Sequence, residues 1–148
     1  MAFAILFLVV AVCWLIDYLV SFGYTFEIVN MEPYPGVADG ATSMFIDVRL
    51  TRTSGEPVEG HDIYILSLDG GTWKAYRQRT DADGMVQFEF VPFLATSIRP
   101  AKDVRLRVRD ESSSIFIAVP ATYEWVIEVN EPESDHESNA ITSDSFFG

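Results

Sequence analysis

Hydrophobic and polar positions divide this chain at Gly23. Upstream, Ala2 to Phe22 (AFAILFLVVAVCWLIDYLVSF) is apolar apart from Asp17 and Ser21, and holds neither Gly nor Pro. As a helix these residues rise roughly 31 Å, close to the ~30 Å of a bilayer's hydrocarbon core. Trp14, Tyr18, Phe22 and Tyr24 gather at the C-terminal end, where amphipathic rings favour the headgroup region. The pattern predicts one transmembrane helix within residues 1–23. A cleaved signal peptide is the competing reading, with Ser21-Phe22-Gly23 as a small-x-small site. The missing Lys or Arg at the N-terminus and an apolar run longer than the roughly 7–15 residues of such signals favour a retained anchor.

Downstream the period changes to two. Thr25 to Met31 predicts a first strand, and Pro33 and Pro35 end it because proline cannot donate to a ladder. Val37 to Ser43 reads as a polar loop. Met44 to Arg52 alternates strictly, with Met44, Ile46, Val48 and Leu50 on one face. After a turn at Thr53 to Pro57, His61 to Leu68 is apolar on both faces and predicts a central strand. Asp69-Gly70-Gly71 predicts a tight hairpin, with Thr72 to Thr80 pairing back. Asp81 to Gly84 turns the chain into Met85 to Val91, where Val86, Phe88 and Phe90 share a face. Val104, Leu106 and Val108 alternate with Arg105, Arg107 and Arg109. Ile115 to Val119 and Tyr123 to Val129 complete the set, the latter with Tyr123, Trp125, Ile127 and Val129 facing one way. Short strands at this spacing predict an all-β domain over 24–130, an immunoglobulin-like antiparallel β-sandwich of seven or eight strands. Residues 131–148 are acidic and serine-rich, a composition that predicts a disordered tail.

Charge alters the picture by its distribution. The net charge is −12, and all ten Lys and Arg lie between Arg49 and Arg109. Acids flank them, from Asp17 to Asp39 on one side and from Glu124 to Asp144 on the other. Such a balance excludes nucleic acid as the expected partner, since phosphate binding needs a cationic footprint. Cys13 is the only cysteine, so no intrachain disulfide can hold the domain. No Lys or Arg lies near either helix end to set topology. An extracytoplasmic β domain on a single-pass cell-membrane anchor is the expectation, by analogy with similar modules.

The segment from Phe45 to Phe90 resembles bacterial immunoglobulin-like and carboxypeptidase-regulatory-like (transthyretin-type) sandwiches. The matching features are an alternating strand, then Gly55-Glu-Pro57-Val58-Glu-Gly60, a second strand, and Thr80-Asp81-Ala-Asp83-Gly84-Met-Val86-Gln-Phe88. The resemblance covers about a third of the chain. It implies a spacer, adhesin or accessory module and no enzyme.

Candidate chemistry is sparse. Asp81-x-Asp83-Gly84 suggests calcium, but in an EF-hand frame Arg79 and Phe90 would fall where oxygen ligands are required. Asp side chains bonding their own turn explain the motif without metal. His61 and His136 stand far apart, and no second cysteine supports zinc. No nucleophile–base set or phosphate loop is legible. The chain is therefore read as a non-enzyme without cofactor or metal.

Two features remain as interaction candidates. Cys13, Asp17 and Ser21 are spaced i, i+4, i+8 and share one helical face, a pattern suited to packing on other transmembrane subunits or copies of itself. Asp17 also admits a simpler reading, a carboxylate near the span's end that reaches hydrated headgroups. Arg105, Arg107 and Arg109 form a basic stripe that either pairs with Glu124 and Glu128 or meets an anionic surface. The leading expectation is a membrane-anchored accessory or scaffold subunit, with membrane lipid as one partner. A pilin-like surface filament or adhesive subunit is the second. A small-ligand or carbohydrate module using Tyr64, Trp73 and Tyr76 is the third, and a core role for those rings is favoured over it.

Overall fold

The computed structural model describes residues 2–116 and 120–133. One helix, α1 (Ala2–Ser21), leads directly into ten strands: β1 (Tyr24–Glu32), β2 (Gly36–Val37), β3 (Met44–Arg52), β4 (Asp62–Ser67), β5 (Thr72–Trp73), β6 (Arg77–Arg79), β7 (Met85–Val91), β8 (Val104–Asp110), β9 (Ala121–Ile127) and β10 (Val129–Asn130). No linker separates helix from sandwich. Gly23 N donates to Val20 O (2.9 Å), and Gly23 O accepts from Thr53 N (3.1 Å), so the helix end is tied to the β3–β4 turn.

One sheet has the order β1-β3-β7-β5 and the other β6-β4-β8-β9, with β2 and β10 forming a two-residue parallel ladder. The long pairings are antiparallel. Apart from the transposed short segments β5 and β6, this is the two-sheet order of an immunoglobulin-like sandwich. The core lies between the sheets. Met44, Ile46, Val48 and Leu50 of β3 face Ile63 and Ile65 of β4 and Val104, Leu106 and Val108 of β8, all buried, and Phe88, Phe90 and Ile127 belong to the same cluster. Each such side chain contributes about 1.5–3 kcal/mol by leaving water. No residue of α1 belongs to this cluster.

Two segments pair in ways that the period-two pattern did not reveal. The expected hairpin at Asp69-Gly70-Gly71 does not form. Both glycines take positive φ (106° and 100°), but Thr72 and Trp73 pair with Val91 and Phe90 in the opposite sheet. Burial of Trp73 against Phe88 and Phe90 draws the segment across. A side chain at Gly71 would collide with the Phe90 ring. Only Arg77 to Arg79 returns to pair with Asp62 to Tyr64 of β4. At the other margin, Gly36 and Val37, expected at the boundary of a loop, pair with Val129 and Asn130.

The C-terminal strands also differ from expectation. Ile115 and Phe116 lie in a bend, and the rest of the Ile115–Val119 segment lies outside the described residues. Tyr123 lies opposite Val108, on the face of β9 that also holds Ala121 and Ile127, but it is exposed and leans on Trp125 (ring centroids 5.2 Å apart). Of the expected disordered tail, residues 134–148 lie outside the described residues.

Candidate functional site at the helix–sandwich junction

Asp17 is the one charged side chain inside the apolar helix, and it is fully buried. Its partner is the chain's own β8–β9 loop. Asp17 Oδ1 accepts from Ile115 N (2.7 Å) and Phe116 N (2.9 Å), and Oδ2 accepts from Ser114 Oγ (2.9 Å). Cys13 and Ser21 share this least exposed face, as their spacing predicts, and both are half-buried. Ser21 Oγ donates locally to Tyr18 O (2.7 Å). The structure thus brings the three residues onto one face and gives the Asp17 carboxylate partners in the β8–β9 loop of the same chain.

The loop is held at its base by a second buried carboxylate, Asp110. Asp110 Oδ2 lies 2.7 Å from His61 Nδ1, Oδ1 accepts from Ser112 N (2.9 Å), and the backbone carbonyl accepts from Ser113 Oγ (2.8 Å). Ser113 Oγ also accepts from Ala121 N (2.8 Å), and Ser112 Oγ accepts from Asp62 N (2.9 Å). Tyr24 tilts against His61 with centroids 5.4 Å apart. A carboxylate that orients a histidine is half of an acyl-transfer set. Here the bonds of the Ser112 and Ser113 hydroxyls to backbone groups fasten the loop to β4 and to the start of β9.

The arginine stripe is neutralised along its length. Arg105 places Nε and Nη2 at 2.9 and 3.0 Å from the Asp69 carboxylate, and Arg105 N donates to it as well (3.0 Å). Lys102 Nζ adds a contact at 3.2 Å. The bonds from Arg105, first from its side chain and then from its backbone, hold the Asp69 carboxyl well below the usual carboxylate range. Arg107 pairs with Glu124 across β8 and β9 (2.7 Å), as expected. Arg109 lies over the Tyr64 ring (5.1 Å) and 3.9 Å from Glu111. The expected partner Glu128 is replaced by Asp69, which the β4 end sets beside Arg105 through the bond from Leu68 N to Arg105 O.

Of the aromatic trio, Trp73 is core. Tyr64 and Tyr76 stack on the outer surface (6.4 Å). Asp81 Oδ1 accepts from Asp83 N and Met85 N (both 2.9 Å), the self-bonded turn its sequence suggests. Sequence reasoning singled out Asp17 but not its partner, and it missed the Asp110–His61 pair. Its members are separated by 49 positions, with no local spacing to betray them.

No family model matches the chain, and no curated protein matches it. Solved structures similar to it include a C-terminal 282-residue fragment of intimin in complex with the intimin-binding domain of the translocated intimin receptor (15% identity, TM-score 0.47). The D00-D0 domain of intimin (9%, 0.47) and the D0-D1 domain of intimin (14%, 0.46) are others. They cover 68 to 70% of this chain, which spans 32 to 49% of their length. Their TM-scores, all below 0.5, leave the sandwich assignment to rest on the strand order above.

Proposed function

We propose that this chain is a membrane-anchored, non-catalytic accessory or scaffold subunit. The helix crosses the bilayer once, and the sandwich offers an extracytoplasmic surface for protein contacts. The observation that carries this reading is how apolar surface is divided. The sandwich core closes without a single helix residue, whereas the helix turns Phe3, Leu6, Phe7, Leu8, Leu15 and Leu19 outward. So large a contiguous apolar surface is out of place on a soluble monomer and at home in lipid. Asp17 supports retention of the segment: removing it as a signal peptide would strip the β8–β9 loop of its acceptor. The end of the sandwich away from the helix supports protein contact, because the β7–β8 segment there exposes Leu94 and, at 95%, Ile98.

Membrane fractionation tests the anchor. Full-length chain is expected to stay in the membrane pellet through an alkaline wash and to leave it only with detergent. A fragment beginning at Tyr24 is expected in the soluble fraction with its near-ultraviolet dichroism intact. Recovery of intact full-length chain in water without detergent would overturn the reading. Native size analysis of the detergent extract then separates a defined hetero-complex, which supports the subunit role, from a homopolymer or a monomer, which would count against it.

A further inference from the structure

We propose that Ile115 and Phe116, in the β8–β9 loop, are a second membrane-contacting element that rests in the interfacial layer of the bilayer beside the anchor helix. The inference depends on the spanning helix proposed above and adds a second point of contact to it. Three observations place the loop there.

The first is depth. Asp17 sits one turn before Ser21, where the helix ends. At about 1.5 Å per residue, the backbone it holds lies about 6 Å inside that end. Interfacial elements bury their apolar faces to about 5–10 Å, the same layer. The second is composition. Ile115 and Phe116 are 61% and 57% exposed although they adjoin a helix whose other faces are bare and apolar. Trp14, Tyr18 and Phe22 form a continuous run of ring contacts on that helix (centroids 5.3 and 4.8 Å) at the level where aromatic belts sit.

The third is backbone satisfaction. Non-helical backbone entering lipid must have its N–H groups bonded within the protein, since no water is present to receive them. The Ile115 and Phe116 amides both donate to the Asp17 carboxylate. A loop with bare apolar side chains and capped amides meets the demand of lipid. A water-facing loop would need neither. Lipid is favoured over a protein occupant because the site continues the surface of the anchor itself.

Environment-sensitive fluorophores on single cysteines test this in the full-length chain, reconstituted in phosphatidylcholine–phosphatidylglycerol vesicles. One probe uses the native Cys13, and the others use Ile115→Cys, Phe116→Cys or Ile98→Cys in a Cys13→Ser background. The expected result is a larger emission loss at both loop positions with shallow nitroxide lipids than with aqueous iodide. The order should reverse at residue 98, and deep nitroxide lipids should quench the Cys13 probe. A lipid-quenched Cys13 probe with iodide-quenched loop probes would overturn the loop proposal and leave the anchor standing. Loop probes shielded from both quenchers would also overturn it, assigning Ile115 and Phe116 to a protein partner or a second copy. A Cys13 probe insensitive to lipid nitroxide would remove the anchor and this proposal together. A label-free check uses the wild-type chain with a lipid-borne diazirine. Adducts on Ile115 or Phe116, and none on Ile98, support the proposal, and the converse rejects it.

Discussion

Opposite ends of the sandwich solve the same problem with different chemistry. At the helix end, Asp17 fastens a loop through the Ile115 and Phe116 amides and the Ser114 hydroxyl. At the far end, Asp69 fastens the start of β8 through Arg105 and Lys102, and Arg99 Nη2 donates to the Asp69 carbonyl (2.7 Å). Amides disperse a carboxylate's charge over fixed dipoles that need no hydration, whereas Arg and Lys side chains work where water can solvate their free edges. Under the proposed membrane reading, this difference in donors suits an apolar surrounding at the helix end and an aqueous one at the far end.

The sharpest way to break this comparison is Asp17→Leu. It removes the acceptor of Ile115 N and Phe116 N, at a cost of about 1.5–3 kcal/mol for each hydrogen bond to a charged group. Amide exchange in reconstituted protein is expected to rise steeply at residues 114–116 and stay unchanged around Asp69. Equal exchange in variant and parent would show that the carboxylate does not hold the loop.

Asp69→Asn is expected to have a smaller effect that depends on pH. The folded-state carboxyl is depressed from 3.8, so its stabilisation is fully present above that value and is lost as pH falls through it toward the folded-state value. Thermal melts of the variant should fall below the parent at pH 7, and the gap should narrow progressively below about pH 4. A gap that is constant across this range would assign the effect to packing.

Arg107→Ala should matter least. Its pairing with Glu124 is solvent-exposed on both sides, and such pairs contribute about 0.2–1 kcal/mol. Denaturant midpoints of Arg107→Ala, Glu124→Ala and the double variant would measure the coupling. A coupling well above this range would mean the stripe is not an ordinary solvated strand face.

Much of this fold follows from alternation. Met44 to Arg52 and Met85 to Val91 form strands with the expected bounds, because each faces a single core and the inward residue must recur every second position. Alternation fails where one large side chain outweighs local pairing, as Trp73 does when its burial carries Thr72 and Trp73 into the other sheet. It fails again at Ile115 and Phe116, whose apolar character suits a strand but whose amides turn to the helix.

By itself the sequence determined the apolar helix, the sandwich, the inward faces of its long strands and the single anomalous Asp17. These are properties of composition and period, readable within about ten residues of any position. Only the tertiary structure decided what Asp17 binds, which acid meets Arg105, and that His61 faces Asp110. Those partners lie 97 to 99, 36 and 49 residues apart. Hydrogen bonding at such separation depends on how two sheets and a helix are brought together in space, and no local pattern encodes that.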